Sequence, residues 1–118
     1  MATVLFICAV GGHGGPVASL RDILPGLAEH RRICIGPFSQ YARPFLAPVC
    51  EELVQMARPR GARGFASAVA RVRRAVRAHR PDVIVANGLT EVAVAGVALT
   101  ALGTLGETPV LAWVHNYE

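Results

Sequence analysis

The chain has 118 residues, of which 53% are hydrophobic and 17% are charged; this length suits one domain, and the apolar content excludes a disordered segment. All 12 basic residues are arginine, and the absence of lysine excludes Schiff-base and P-loop lysine chemistry within this chain. The net charge is +4, but eight arginines and no acidic residue lie between positions 58 and 80. The sequence thus predicts a basic patch on a mildly acidic body.

The amino-terminal part predicts a strand, a glycine-rich turn and a helix. Residues 3–10 form an apolar run rich in β-branched side chains, which is typical of a buried strand. Residues 11–16 form a glycine-rich turn, and Pro16 is well placed as the first residue of a helix. Because Pro25 and Gly26 interrupt the apolar stripe of that helix, we expect a kink or an early end there.

The rest of the chain alternates between strand and helix patterns. Short apolar runs predict strands at 32–36, 83–86 and 110–114, and a further short strand is expected near 53–56. A helix at 65–79 has an apolar stripe, and a helix at 89–102 is apolar all round and expected to be mostly buried. The sequence therefore predicts an α/β fold, a Rossmann-like open parallel sheet with helices on both faces.

The cysteines and the apolar segments indicate the cellular compartment in which the protein is expected. The three cysteines have no CxxC spacing, which argues against a disulfide framework or a zinc site and favours a reduced compartment. Cys8 and Cys34 lie inside apolar runs and are predicted to be small core residues. The longest uncharged apolar stretch, 92–106, has 15 residues, fewer than the roughly 20 that a membrane span needs. We therefore expect a cytoplasmic protein.

Glycine or polar residues directly follow three of the predicted strands. These segments are the glycine-rich turn at 11–16, Asn87 with Gly88, and His115 with Asn116. In open α/β sheets, ligands bind at the carboxyl ends of the strands. We therefore expect the three segments to meet at one edge of the sheet and to form a ligand site.

The glycine-rich turn predicts a contact with phosphate or sugar. Gly14 and Gly15 allow close backbone approach, and the helix after them offers free N–H groups and the positive end of its dipole. The spacing is not that of a dinucleotide fingerprint, and no Gly-Lys-Ser/Thr of a P-loop follows. The alternative is a tight turn that needs glycine only for its geometry.

Histidine could supply proton chemistry at this edge. A neutral imidazole at His115 could exchange a proton or hydrogen-bond a sugar hydroxyl, and His13 in the turn is a second candidate. His30 and His79 lie near helix ends, where capping or solvent exposure is expected. The alternative for each histidine is a structural role. No cluster has metal-ligand spacing, so we expect no metal site.

The arginines of the 65–79 helix have two interpretations. Arg71, Arg73, Arg74 and Arg77 fall opposite the apolar stripe. They form either a solvated face or a docking face for anionic lipid headgroups, which contribute about 1 kcal/mol per arginine. RNA binding is not expected, because no aromatic residues are interleaved with these arginines.

Three segments resemble the N-terminal half of GT-B-fold glycosyltransferases, family 4 in particular. Residues 4–10, with Gly14-Gly15-Pro16-Val17 and the helix to His30, resemble the opening strand, the Gly-Gly loop and the first helix of that family. Residues 80–88 (RPDVIVANG) resemble its "RPDVVHAHG"-type strand. Residues 110–114, with His115-Asn116, resemble its strand that ends in His-Asp or His-Asn.

The resemblance implies transfer of a sugar, with retention, from a nucleotide-diphosphate sugar to an acceptor, without a metal or another cofactor. This half would mainly bind the acceptor. Gly15 matches the loop glycine that approaches the donor phosphates, and His115 matches the histidine beside the transferred sugar, which makes it the candidate catalytic residue. The other positions expected to contact donor phosphates or acceptor are Gly14, Asn87, Gly88 and Asn116. The arginine face would meet the inner face of the membrane.

The chain also departs from the family pattern. Asn87 stands where the family commonly has histidine. The sequence stops at Glu118, before the donor-binding domain of such enzymes, so we expect a single partial domain over 1–118 that does not catalyse transfer by itself. Two alternatives remain: a stand-alone α/β module that binds a phosphate-bearing ligand, and a basic membrane-associated adaptor without a small-molecule site.

Overall fold

The structure is a computed structural model, and it describes residues 2–8, 23–40, 42–103 and 106–112. Within these ranges five parallel strands form one sheet in the order β3-β2-β1-β4-β5. The strands are β1 (Thr3–Ile7), β2 (Arg31–Gly36), β3 (Glu52–Gln55), β4 (Val83–Ala86) and β5 (Val110–Ala112). The predicted α/β, Rossmann-like parallel sheet is confirmed, and so is the short strand expected near 53–56.

The strand order reverses direction at β1. On one side β1 pairs with β2, where Ile7 lies opposite Ile35, and on the other it pairs with β4, where Ile7 lies opposite Ala86. The chain runs from β1 outward through β2 to β3, and then crosses back to build β4 and β5 on the other side. In open α/β sheets such a reversal leaves a crevice at the carboxyl ends of the two central strands.

Helical segments connect the strands. They are α1 (Ala42–Leu46), α2 (Gly61–His79) and α3 (Leu89–Leu102), with two short 3-10 segments at Leu24–Leu27 and Ala47–Val49. The break predicted at Pro25 and Gly26 takes the form of the first 3-10 segment. The part of the predicted helix that precedes this segment, from Pro16 to position 22, lies outside the described residues.

Helix α2 has the amphipathic character that its sequence predicts. Its buried positions are Ala68, Val72, Ala75 and Val76, which recur at helical spacing and face the sheet. The helix ends at Arg80, which adopts a left-handed conformation with φ of 46° and donates its backbone N–H to the Val76 carbonyl. Pro81 follows at once and cannot continue the helix, so the chain turns into β4.

Helix α3 is buried on one side only, although its composition predicts burial all round. Val94 and Leu99 are fully buried, whereas Leu89 is 75% exposed and Val97 is 47% exposed. The helix packs against α2 and the sheet, which together cover one face and leave the other to solvent. The uniformly apolar composition of α3 therefore predicted more burial than this helix has in the fold.

The main apolar cluster lies between the sheet and the pair α2 and α3. Ile33 and Ile84 from the sheet are fully buried in it, together with Val72 of α2 and Leu99 of α3. Burial of each such side chain stabilises the folded state by about 1.5–3 kcal/mol. This cluster fixes α3, and therefore its amino terminus, against the carboxyl end of β4.

On the opposite face of the sheet, the segment Leu24–Leu27 and α1 pack against a second apolar cluster. Cys8 and Cys34 are buried there, as the sequence predicts. The thiol of Cys50 donates to the Leu46 carbonyl oxygen at 3.1 Å. A hydrogen bond with Cys50, together with burial, raises the pKa of the Cys34 thiol well above its usual value. Cys34 therefore stays protonated and behaves as a small core residue.

An ion pair joins the amino end of β2 to the start of β3. Arg32 Nη2 lies 2.8 Å from Glu51 Oε1, and Arg32 Nε lies 3.2 Å from Glu51 Oε2. Arg32 Nη1 also donates to the Leu24 carbonyl oxygen at 2.8 Å. The hydrogen bond from Arg32 lowers the pKa of Glu51 from 4.5 to about 2. This pair holds three segments together at the edge of the sheet opposite the predicted site.

Candidate functional site at the carboxyl edge of the sheet

The described residues contain one of the three segments predicted to form the site. Asn87 and Gly88 follow β4 at the carboxyl edge. The turn at 11–16, with Gly14 and Gly15, lies outside the described residues, as do His115 and Asn116. The meeting of the three segments at one edge therefore stays a prediction, and the described part of this edge consists of the ends of β1 and β4 and the start of α3.

Asn87 lies at the point where the two central strands end. Its backbone N–H donates to the Ile7 carbonyl oxygen at 2.9 Å, which extends the pairing of β1 and β4 by one step. Its side-chain Nδ2 lies 3.8 Å from the thiol of Cys8, the residue that follows β1. Asn87 thus bridges the ends of β1 and β4 at the reversal of strand order.

The side-chain oxygen of Asn87 is buried without a partner. The residue is 7% exposed, and no hydrogen bond reaches its Oδ1 within the part of the chain that the structure describes. Leaving a buried polar atom unpaired costs about 1–3 kcal/mol. Such an atom at a strand end is well placed to accept a hydrogen bond from a ligand.

Gly88 starts helix α3 in a conformation that favours glycine. Its φ is 129°, a value that residues with a side chain rarely adopt. A Cβ built on Gly88 would stand 2.6 Å from Glu91 Oε2, too close for both atoms to keep their positions. Glycine at this position therefore lets the Glu91 carboxyl group lie against the backbone, and Gly88 itself is half-buried.

Glu91 is a buried acid in the first turn of α3. The residue is 6% exposed, and its carboxylate lies over Gly88 at the amino terminus of the helix. The free N–H groups and dipole of a helix amino terminus favour negative charge there. The Glu91 side chain thus lies against the residue that follows Asn87, the other buried polar side chain among the described residues.

The sequence analysis did not identify Glu91 as a site residue. A signal was present, since an acid in the first turn of a helix that begins at a carboxyl edge stands next to the ligand position of such sheets. Glu91 is also the acidic residue of an otherwise apolar segment, Leu89–Leu102. Its burial beside Gly88 depends on tertiary packing and was not visible in the pattern.

The four predicted arginines of α2 do not share one surface. Arg73, Arg74 and Arg77 are exposed and line a shallow cavity of about 420 Å³ with Ala70 and Ala78. We call these three residues the arginine patch. By contrast, the half-buried Arg71 donates from Nε to the Gln55 carbonyl oxygen at 3.0 Å, which holds it against the end of β3.

The arginine patch and the carboxyl edge lie on different parts of the molecule. Because β3 and β4 are parallel, the helix that joins them runs back from the carboxyl edge toward the amino edge. Arg77 is near the end of that helix and therefore lies toward the start of β4. An anion bound by the patch would not reach Asn87.

The described histidines have structural contacts. His30 Nδ1 accepts a hydrogen bond from the Ala2 backbone N–H at 3.0 Å, and His79 Nε2 lies 3.0 Å from Glu52 Oε2. Within the described ranges, three or more metal-ligating side chains do not come together at any point. Among the helices described, none combines the length and apolar character needed to cross a membrane.

Comparison with known proteins shows the fold rather than a family. No protein-family model and no curated protein matches the chain. The lipopolysaccharide outer core galactosyltransferase WaaB is similar in structure, with a TM-score of 0.72 and 14% identity over 98% of this chain. HepE from Anabaena, solved in complex with UDP and glucose, has a TM-score of 0.69 and 22% identity over 95% of this chain.

The chain spans about a third of these proteins, covering 33% of WaaB and 29% of HepE. UDP-GlcNAc 2-epimerases are also among the similar structures. The C-terminal domain of a hydrogenase from Pyrococcus furiosus has a TM-score of 0.64 and 12% identity over 94% of this chain, and the match covers 90% of that domain. The chain thus has a Rossmann-like fold found in GT-B glycosyltransferases and in other proteins.

Proposed function

We propose that this chain is the acceptor-side part of a GT-B-fold glycosyltransferase of the family 4 type. Its substrates are a nucleotide-diphosphate sugar and a hydroxyl-bearing acceptor. In the transfer, the bond from the sugar C1 to the diphosphate oxygen breaks, and a bond from C1 to the acceptor oxygen forms with retention at C1. The proton of the acceptor hydroxyl leaves with the nucleoside diphosphate, so the step needs no cofactor.

Three features support the proposal. The fold is shared with WaaB and HepE, the second of which was solved with UDP and glucose. The sequence contains three motifs that resemble the family in the same order along the chain. The strand order reverses between β1 and β4, where ligands of open α/β sheets bind.

The observation that carries the proposal is the buried Oδ1 of Asn87, which precedes Gly88 and has no partner among the described residues. A polar atom that costs stability in the free protein is expected where a ligand supplies its partner. It belongs to the RPDVIVANG segment, one of the three motifs of the resemblance. Sequence motif and structural feature therefore indicate the same position.

The roles of the other predicted residues belong to the same proposal. His115 would lie beside the transferred sugar as the catalytic residue, and Gly15 would approach the donor phosphates. Gly14 and Asn116 would complete the contacts with phosphate or acceptor. These assignments follow from the sequence resemblance and from the position of each residue after a predicted strand.

A transfer assay tests this function. The product of the complete reading frame that contains these codons is incubated with UDP-glucose or UDP-galactose and candidate acceptors, and UDP release is measured. We expect turnover that His115→Ala lowers at least a hundredfold and that a metal chelator leaves unchanged. The 118-residue chain alone should release no UDP above background. A complete frame that ends at codon 118, or a longer product without transfer activity, would contradict the proposal.

The location at the inner face of the membrane is part of the proposal. The arginine patch is exposed, and the stretch from 58 to 80 contains no acidic residue, although Glu107 lines a neighbouring cavity with Arg77. Anionic headgroups attract such surfaces by about 1 kcal/mol per arginine. The patch would hold the protein against the cytoplasmic leaflet while the carboxyl edge, on another part of the molecule, binds substrates.

One observation favours a second candidate function, that of a stand-alone α/β binding module. The hydrogenase domain from Pyrococcus furiosus has the same fold at almost the same length. A domain of this size can thus be a part of a protein with other chemistry. The transfer assay separates the two candidates, because a module binds its ligand without releasing UDP from UDP-sugars.

A further inference from the structure

We propose that Arg43, Gln55 and Arg71 form a subsite that takes a phosphate group carried by the acceptor. We call these three residues the anion subsite. Gln55 is the last residue of β3 and therefore lies at the carboxyl edge of the sheet. The assignment rests on the proposed function, in which this edge binds the acceptor, and it goes further by naming the chemical class of that acceptor.

Two guanidinium groups reach Gln55 from opposite faces of the sheet. Arg43 belongs to α1 and Arg71 to α2, and these helices pack against different apolar clusters. Arg43 Nη1 donates to Gln55 Oε1 at 2.8 Å, and Arg71 Nε donates to the Gln55 carbonyl oxygen at 3.0 Å. Because both groups contact one residue, two like charges lie close together, and an anion between them would replace repulsion with attraction.

The position of Arg71 follows from the free edge of the sheet. Within the described residues β3 is the outermost strand on its side, and the Met56 backbone N–H donates to the Gly36 carbonyl oxygen of β2 at 2.9 Å. In a trans peptide the C=O and N–H groups point in opposite directions, so the Gln55 carbonyl points away from β2. Arg71 supplies the hydrogen bond that a further strand would otherwise make there.

Each guanidinium keeps two neighbouring nitrogen donors after its bond to Gln55. Arg43 uses Nη1 and keeps Nε and Nη2, whereas Arg71 uses Nε and keeps both Nη groups. In the part of the chain that the structure describes, these remaining nitrogens have no hydrogen-bond partner. Paired N–H donors of a guanidinium match two oxygens of one phosphate. The anion subsite therefore presents two such pairs from two different helices.

The surroundings of the anion subsite are poor in negative charge. Between positions 33 and 81 the acidic residues are Glu51 and Glu52. Both lie toward the amino end of β3, where Glu51 pairs with Arg32 and Glu52 contacts His79. Among the described acidic residues, none forms an ion pair with Arg43 or Arg71. The positive charge at the end of β3 is therefore available to a ligand.

The location separates this phosphate from those of the donor. The donor phosphates are expected at Gly15, which follows β1, and β3 lies two strands away from β1. Neighbouring strands are about 4.8 Å apart, so the ends of β1 and β3 are about 10 Å apart. This separation suits an acceptor of the size of a sugar phosphate, with its hydroxyl group beside β1 and its phosphate at Gln55.

Phosphate titration tests the anion subsite directly. The ¹⁵N-labelled 118-residue chain is titrated with inorganic phosphate, glucose 6-phosphate and glucose, with sodium chloride added to keep the ionic strength constant. The signals followed are the Gln55 amides and the Arg71 Nε–H. We expect saturable shifts with both phosphates and none with glucose. No shift with either phosphate, or equal shifts when chloride replaces phosphate, overturns the anion subsite.

Lysine substitutions distinguish paired donors from charge alone. Arg43→Lys and Arg71→Lys keep the charge and remove the paired donors, so each should weaken phosphate binding about fivefold. Arg31→Lys makes the same change at an exposed position at the amino end of β2 and should leave binding unchanged. Equal binding by all three variants would contradict the proposal. Because the wild-type titration stands alone, a variant that fails to fold leaves the test intact.

Transfer kinetics separate the anion subsite from the proposed function. In the complete product, inorganic phosphate should inhibit transfer competitively with the acceptor and not with the UDP-sugar. Competition with the UDP-sugar alone, or transfer that phosphate does not inhibit, would keep the transferase and refute the anion subsite. Phosphate binding at Gln55 without any transfer by the complete product would support a phosphate-binding module and refute the transferase.

Discussion

The side-chain amide of Asn87 lies 3.8 Å from the thiol of Cys8, and these residues are 79 positions apart in the sequence. Cys8 follows β1 and Asn87 follows β4, so the contact marks the point where the strand order reverses. The Nδ2 end of the amide has this neighbour, and the Oδ1 end has none among the described residues. That asymmetry is the basis for the first prediction.

Replacing Asn87 with leucine should separate stability from ligand binding. Asn87→Leu has a similar shape and removes a buried oxygen that has no partner among the described residues, so the free energy of unfolding should stay equal or rise by about 1 kcal/mol. Turnover of the complete product in the transfer assay should fall at least tenfold, since the hydrogen-bond acceptor is lost. Urea unfolding and the transfer assay measure the two effects. A loss of 2 kcal/mol or more would show that Oδ1 has a structural partner.

Replacing Gly88 with alanine should destabilise the protein. Its φ of 129° strains any side chain, and the added Cβ would meet the Glu91 carboxylate at 2.6 Å. We expect the free energy of unfolding to fall by about 1–3 kcal/mol.

Gly96→Ala is the matched control for that substitution. Gly96 lies inside α3, and a Cβ there would find no atom within 4 Å. Alanine in a helix interior is more favourable than glycine by about 0.5–1 kcal/mol, so the control should be more stable. Equal destabilisation by both substitutions would contradict the role given to the Gly88 conformation.

The pair Arg32 and Glu51 should make stability depend on pH in the acid range. The pKa of Glu51 is lowered from 4.5 to about 2 by the hydrogen bond from Arg32, so the folded state holds the proton less tightly than the unfolded state. The contribution is therefore fully present above about pH 4.5 and is lost as the pH falls toward 2. Because the Glu51 side chain is 38% exposed, we expect the contribution of a surface pair, about 0.2–1 kcal/mol.

Unfolding of the wild type and of Glu51→Gln, measured between neutral and acid pH, tests this expectation. The stability difference should be largest at neutral pH and should shrink as the pH falls through the acid range. Glu107→Gln, at an exposed acid outside the pair, should give a difference without that pH dependence. A difference in the free energy of unfolding between wild type and Glu51→Gln that increases toward acid pH would contradict this expectation.

The arginine patch should bind anionic membranes. Vesicles of phosphatidylcholine with phosphatidylglycerol should bind the chain, and each of Arg73→Gln, Arg74→Gln and Arg77→Gln should weaken binding about fivefold, the equivalent of about 1 kcal/mol. Arg31→Gln removes the same charge from an exposed position at the start of β2 and should have a smaller effect. Equal effects at all four positions would indicate attraction to the net charge rather than to the patch.

The arginines of α2 show a property that helical periodicity does not predict. Periodicity predicted that Arg71, Arg73, Arg74 and Arg77 lie opposite the apolar stripe. The structure keeps three of them exposed, but Arg71 is held by the Gln55 carbonyl oxygen at the end of β3. A long side chain near the border of a helix face can take a partner on the neighbouring strand, and the sequence does not show which strand that is.

Residues 83–86 and the stripe of α2 show the opposite case. A short β-branched run between a helix-ending Pro and an Asn-Gly pair has few alternatives to a buried strand, and β4 has the predicted bounds. Val72 and Val76 recur at helical spacing and are buried as predicted. These properties depend on residues that are close together in the sequence, so the sequence alone is enough to predict them.

The amino-acid sequence by itself determined the alternation of strands and helices, the break at Pro25 and Gly26, and the position of Asn87 directly after a strand. These are consequences of local backbone preference and of apolar spacing. Only the tertiary structure decided that β1 stands between β2 and β4, that Asn87 meets Cys8, and that Glu91 is buried over Gly88. Strand order and burial depend on contacts between residues distant in the chain, and a local pattern contains no record of which distant segment is the neighbour.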